Sequence, residues 1–200
     1  MMEHLAIREL NKEEIEEVYR EHMPEAFPAA EVKPLSVILA AVDKGTYTCY
    51  GLFDDDLFVG YGFFFRAGEN CQLLDYYATL PHVRSKGYGA AFLKMFAALH
   101  PDMTTFGEVE AVESTEDEGE KALRQRRRRF YERNGFLLTN VRAILFGVEY
   151  QIIMQNGPEG ITDEEIMDCL WMIYQELFPY SPKKVASLIR LFIMPQAKAE

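Results

Sequence analysis

Seven consecutive residues, Arg84-Ser85-Lys86-Gly87-Tyr88-Gly89-Ala90, set two cations and two glycines directly before an apolar helical segment. A loop of this kind gathers unpaired main-chain N–H groups at the positive end of a helix dipole, which is the chemistry of phosphate binding. Glycine at 87 and 89 lets a ligand approach the backbone, because no side chain stands in between. The order excludes G-x-x-x-x-G-K-[ST], since Lys86 precedes the glycines, and the three spaced glycines of the dinucleotide fingerprint are missing. A second block, Phe130-Tyr131-Glu132-Arg133-Asn134-Gly135-Phe136, lies downstream. Tyr131 offers a phenol with an ordinary pKa of about 10. Gly135 suits a helix stop and Phe136 a core anchor. Asp75, Glu108 and Glu110 are candidate proton acceptors, each with the competing reading of a solvated or paired carboxylate. Strand alternation puts Asp75 on one face with Leu73, Tyr77 and Thr79, and Glu108 and Glu110 alternate in step.

These residues need a scaffold, and the hydrophobic pattern supplies one. Residues 4–7 read as a strand, and Asn11 caps a helix with acids in its first turn. Pro24, Pro28 and Pro34 break the next stretch of chain into short pieces, with residues 35–42 as a further helix. Residues 47–53 and 57–66 predict a hairpin around the turn at 54–56, and residues 71–80 predict a third adjacent strand. The helix after Gly87 shows Phe92, Met95, Phe96 and Leu99 on one face. Residues 104–112 read as a fifth strand, 113–120 as an acidic loop and 121–134 as a helix. Residues 136–146 and 148–155 read as a last hairpin. Thr162 and Glu165 form a capping box for a helix lined by Ile166, Leu170, Ile173 and Leu177. Pro179 and Pro182 interrupt, and Val185, Leu188, Ile189 and Phe192 predict another short helix.

The loop Arg84-x-x-Gly87-x-Gly89 resembles the R/Q-x-x-G-x-G/A signature of the GCN5-related N-acetyltransferases (GNAT). The downstream block is similar to that family's Y-x-x-x-G-F segment. The resemblance covers residues 4–155 and implies an α/β fold with a mixed, mainly antiparallel central sheet flanked by helices. Residues 1–155 would form the transferase domain; 156–200, outside the resemblance, read as a helical C-terminal extension that covers an edge of the core, shapes the substrate site or forms a dimer contact, the first being favoured. The resemblance further implies acetyl transfer from acetyl-CoA, as co-substrate, to an amine. The coenzyme would be held by Ala78, Thr79 and Leu80 through main-chain groups and by Arg84, Ser85, Lys86, Gly87, Tyr88, Gly89 and Ala90 at the pyrophosphate. Tyr131 would lie near the sulfur as acid. A primary amine on a small molecule or peptide is the expected acceptor, and direct transfer in a ternary complex the expected route. A non-catalytic acyl-CoA-binding or regulatory module is the alternative. The sequence departs from the family pattern N-x-x-A-x-x-x-Y, with Arg124 and Arg127 at the first two named positions. Either Arg127 approaches a coenzyme phosphate, or the arginines pair with the acids Glu113, Glu116, Asp117, Glu118 and Glu120 or are simply solvated; the second reading is favoured.

Composition narrows the rest. A net charge of −11 opposes general nucleic-acid binding and suits a cationic acceptor. No apolar run approaches the roughly 20 residues that span a bilayer, and the first ten residues do not read as a signal peptide. The three cysteines, Cys49, Cys71 and Cys169, form neither a metal spacing nor a disulfide framework, which predicts a cytoplasmic protein with each thiol a small buried hydrophobe. The aromatics Phe63, Phe64, Phe65, Tyr76 and Tyr77 read as core, with Tyr61 or Tyr77 able to sit by an ammonium group. A homodimer through the C-terminal segment is compatible with the sequence.

Overall fold

The computed structural model describes residues 4–178 and 180–195. The interruption expected at Pro179, the first three residues and the last five lie outside the described residues. The chain divides into two compact units, one built from residues up to 66 with 74–100, the other from 67–73 with 101 onward.

In the first unit, β1 (Leu5–Glu9) pairs antiparallel with β2 (Tyr47–Asp54), which pairs antiparallel with β3 (Leu57–Ala67). Next to β3 lies β4 (Cys71–Thr79), whose first residues belong to the second unit. The expected Asn11 cap of α1 (Lys12–Glu17) is present and is a full capping box: Asn11 Oδ1 accepts from the Glu14 N–H, and a Glu14 carboxylate oxygen accepts from the Asn11 N–H, both at 2.9 Å. The sequence predicts a break at Pro24, yet the helix runs on. A π-helical turn (Val18–His22) widens it and leads into α2 (Met23–Ala26), where Pro24 sits in the first turn. Proline lacks an N–H and clashes with the carbonyl four residues back, and a wider turn relieves both problems. Then come α3 (Leu35–Asp43) and, after β4, α4 (Tyr88–Leu99).

Both faces of β3 carry aromatic rings, as expected. Phe64 stacks on Phe96 of α4 with centroids 3.6 Å apart, and Tyr50 meets both edge-on. On the other face Phe63 contacts Tyr47 and Tyr76. Fully burying each such ring contributes about 1.5–3 kcal/mol. Gly62 makes the close approach of α4 possible: a Cβ there would lie 2.5 Å from the Phe92 ring.

In the second unit, Cys71, Gln72 and Leu73 of β4 pair in parallel with Thr104, Thr105 and Phe106 of β5 (Thr104–Glu110). From β5 the pairing passes antiparallel to β7 (Val148–Gln155), then to β6 (Leu137–Leu145), then to β8 (Ile189–Ile193). The result is the expected mixed, mainly antiparallel sheet flanked by helices. Helix α5 (Glu118–Arg133) starts three residues before the predicted point, because Asp117 caps it by accepting from the Glu120 N–H. In α6 (Asp163–Leu177) the predicted stripe Ile166, Leu170, Ile173 and Leu177 is buried, joined by Tyr174. The last predicted helix is half strand. Helix α7 (Pro182–Leu188) stops at Leu188, and β8 pairs along β6 from Ile189 against Leu145 to Ile193 against Val141. The run Ile-Arg-Leu-Phe-Ile has strand character, and β6 offers it an edge to complete. Among the described residues, no helix is long and apolar enough to cross a membrane.

Candidate functional site

Strand β4 delivers the chain to the loop. A 3-10 turn (Pro81–Val83) buries Val83, and residues 84–87 are exposed beyond it. Ser85 and Gly87 are left-handed, with φ of +64° and +92°. Glycine adopts that conformation freely, whereas serine gives up about 1–2 kcal/mol. Gly87 is the N-cap of α4, and no side chain there bonds the helix start. Helices α2 and α3 also start without a side-chain cap, at His22 and Pro34. Asn11, Asp117, Thr162 and Ser181 each cap α1, α5, α6 and α7 through a side-chain oxygen. The first hydrogen bond of α4 runs from the Ala91 N–H to the Gly87 carbonyl, 3.0 Å. The amides of Tyr88, Gly89 and Ala90 therefore have no carbonyl one turn back to receive them. Tyr88 turns its ring aside, and its hydroxyl donates to Asp54 at 2.5 Å.

The first unit also holds an unmatched buried hydroxyl. Tyr61 is fully buried, and among the described residues its hydroxyl has no hydrogen-bond partner. Burial raises its pKa, and the charge of Arg84 acts in the opposite direction. An unmade hydrogen bond of this kind costs about 1–3 kcal/mol, so a ligand oxygen or nitrogen would be welcome there. Loop and uncapped helix start together fit a diphosphate-bearing group.

Of the strand residues expected to hold the pantetheine arm, Leu80 departs from expectation. Its N–H donates to the Val59 carbonyl at 3.0 Å, and its own carbonyl accepts from the Val83 N–H at 3.1 Å. The N–H is used inside the fold, and the carbonyl keeps one lone pair open. The neighbouring positions Ala78 and Thr79 lie hard against β3, where a Cβ on Gly60 would come within 3.0 Å of the Ala78 carbonyl oxygen.

Asp75 is already occupied. Lys33 donates to both of its oxygens at 2.7 and 2.9 Å, and the Tyr47 hydroxyl makes a short hydrogen bond to one of them. Tyr76 completes the knot, accepting from the Lys33 N–H and donating to the Glu31 carbonyl, both at 2.9 Å. Asp75 and its neighbour Tyr76 thus both engage Lys33, whereas Tyr77 packs on Phe92 of α4. Strict alternation fails here, so Asp75 does not share the face of Tyr77. Burial and the Asp75 charge raise the Tyr47 phenol well above its ordinary pKa. No local pattern marks Lys33, which lies in a proline-bounded loop 42 residues away from its partner.

Within the second unit Tyr131 lies near the end of α5, edge-on to Phe130 and Phe136 at 5.5 and 5.3 Å. Burial pushes its phenol up to about 12, against the opposing charge of Arg127. The helix stop reads as predicted: Gly135 is left-handed at φ +88°, the Phe136 N–H returns to the Tyr131 carbonyl at 3.1 Å, and Phe136 is buried. Glu110 takes Arg124 at 3.0 Å and Arg127 at 2.8 Å. The arginine run therefore pairs with acids, as favoured, though its main partner is a strand residue rather than the loop acids. Arg124 also approaches Glu120 at 3.9 Å and Arg128 approaches Glu113 at 3.6 Å. Glu108 accepts from the Tyr174 hydroxyl of α6 at 2.5 Å. Tyr174 was not singled out from the sequence, although its spacing from Leu170 and Leu177 places it on the buried stripe of α6.

Fold and loop together describe an α/β protein with exposed main-chain donors at the start of α4. Residues 12–136 match the model of the Acetyltransferase (GNAT) family, more than half of the chain, and the chain belongs to that family. Solved structures share the fold. One is a protein from Bacteroides thetaiotaomicron described as an acetyltransferase of the GNAT family, with TM-score 0.69 and 20% identity over 88% of this chain and 99% of that one. Another is Ard1 from Thermoplasma volcanium, with TM-score 0.53 and 19% identity over 76% and 96%. A third is the ribosomal-protein-S18-alanine N-acetyltransferase from Escherichia coli, with TM-score 0.53 and 17% identity over 79% and 99%. At such identities the likeness is one of fold. No curated protein matches the chain.

Proposed function

We propose that the chain is an acetyl-CoA-dependent N-acetyltransferase acting on a primary amine of a small molecule or peptide, in the cytoplasm. In this reading residues 1–155 carry the transfer and 156–200 are a C-terminal extension that completes the core. One observation carries the proposal: α4 begins at a glycine, without a side-chain cap, behind an exposed Arg84 and Lys86. The S18-alanine enzyme of similar fold acts, by its name, on an amine, which agrees with the acceptor class.

Residues 84–90 hold the pyrophosphate, the amides of Tyr88, Gly89 and Ala90 through hydrogen bonds and Arg84 and Lys86 through charge. Ala78 and Thr79 offer main-chain contacts to the pantetheine arm. Bound acetyl-CoA supplies an activated thioester carbonyl. Tyr131 stays protonated at neutral pH and donates to the departing sulfur. We assign proton acceptance from the amine to Glu108, which accepts a hydrogen bond from the Tyr174 hydroxyl. Asp75 and Glu110 have their lone pairs committed to cations. No protein nucleophile takes part: Cys49 is buried, and burial beside Asp75 and Glu9 raises its thiol pKa strongly.

The test is thiol release from acetyl-CoA across a panel of amines, with coenzyme binding followed by calorimetry. The proposal expects tight binding and release on a subset of amines. Binding without release on any amine would indicate the non-catalytic module instead, and no binding would defeat both readings.

A further inference from the structure

Two cysteines that sequence spacing keeps 98 residues apart meet in the second unit. Cys71 opens β4, Cys169 lies midway along α6, and their sulfurs stand 2.6 Å apart. Both are free thiols. Nonbonded sulfurs prefer a wider separation, and side chains this close are already in position for a bond between them. Neither residue belongs to the loop or to the Tyr131 block. Cys71 is buried and Cys169 partly exposed, which sets the order in which a solution reagent meets them. We propose that Cys71 and Cys169 are a redox modification site, closing to an intramolecular disulfide that clamps α6 onto the start of β4.

The co-reactant is a small disulfide such as oxidised glutathione. The Cys169 thiolate attacks one sulfur of that disulfide and expels one thiolate, leaving a mixed disulfide on Cys169. Cys71 then loses its proton to solvent and attacks the Cys169 sulfur. The protein bond forms and the second small thiolate leaves. Two protein thiols are oxidised and one small disulfide is reduced to two thiols. The thiol of Cys71 donates to Cys169, which lowers the pKa of Cys169 and favours it as the first attacker; the same contact raises that of Cys71. The attacking sulfur is therefore the accessible one, and the resolving sulfur is the protected one.

The clamp acts on the helix that also supplies Tyr174 to Glu108. It would hold α6 against β4 in the second unit whether or not the protein transfers acetyl groups, so its fate is independent of the proposed activity. The test equilibrates the full chain with reduced or oxidised glutathione, quenches in acid, then alkylates under denaturing conditions. The reduced protein has three labels, one for each cysteine. The proposal expects the oxidised protein to keep a single label, at Cys49, with a peptide linking Cys71 to Cys169 in the mass map. Cys71→Ser should instead trap glutathione on Cys169, and Cys169→Ser should leave Cys71 largely unmodified. Three labels after full equilibration of the native chain, or stable glutathione adducts without the linked peptide, would overturn the proposal.

Discussion

Tyr131 and Asp75 show two fates for residues that sequence alone marks as reactive. Tyr131 keeps its proton because burial disfavours the phenolate, which suits a group that must donate. Tyr131→Phe keeps the ring and its contacts with Phe130 and Phe136, so turnover should fall on the order of tenfold to a hundredfold with coenzyme affinity nearly unchanged. Steady-state rates beside calorimetry check this; an equal rate would remove the acid role. Asp75 is different. It is the counter-ion of Lys33, whose side chain is 19% exposed against 9% for Asp75. Asp75→Ala strands a buried ammonium and a tyrosine hydroxyl, and should destabilise by about 3 kcal/mol. Urea unfolding measures that loss. A change within a few tenths of a kcal/mol would mean that water replaces the carboxylate.

Elements that carry their own signals were legible in advance, and those that depend on a distant partner were not. The loop before α4, the Asn11 cap of α1, the capping box of α6 and the glycine stop after α5 are written in residues a few positions apart. Gly89→Glu tests the first of these. A carboxylate in the first turn of α4 would repel the diphosphate, so coenzyme affinity should fall at least tenfold with little change in stability. Unchanged affinity would count against the loop assignment. The π-turn before Pro24 was missed because the break is avoided by one widened turn rather than by ending the helix. Strand β8 was missed because its conformation is decided by the free edge of β6, over 40 residues earlier. The occupancy of Asp75 by Lys33 and of Glu110 by Arg124 and Arg127 belongs to the same class. A carboxylate's candidacy can be read from its strand, but its partners come from elsewhere in the fold. Glycine packing is similar. Gly62 gives no local sign of its role, yet Gly62→Ala would push a methyl into Phe92 and should destabilise by about 1–3 kcal/mol.

Across the whole molecule, burial acts on phenols in one direction. Tyr47, Tyr50, Tyr61, Tyr76 and Tyr131 all have raised pKa values, with loss of water the largest cause in each. In the unfolded chain these groups titrate near 10. Between about pH 10 and the higher folded values, the folded chain therefore binds more protons than the unfolded one. Stability falls with rising pH wherever the native state holds the extra protons. The contribution is fully present below pH 10 and is lost as pH rises through the folded values, about 12 for Tyr131. The chain also carries a net charge of −11 at neutrality, and each new phenolate adds to its self-repulsion. Urea midpoints should thus begin to decline from about pH 8.5, where the raised Cys49 and Cys71 thiols also keep protons that the unfolded chain gives up, and drop more steeply above about pH 10. Phenolate absorbance in the native protein should lag behind that of the unfolded chain over the same range. Tyr131→Phe should soften the drop by removing one of the shifted groups. A midpoint that holds steady to pH 11.5, or native phenols that ionise together near pH 10, would show that these rings meet water.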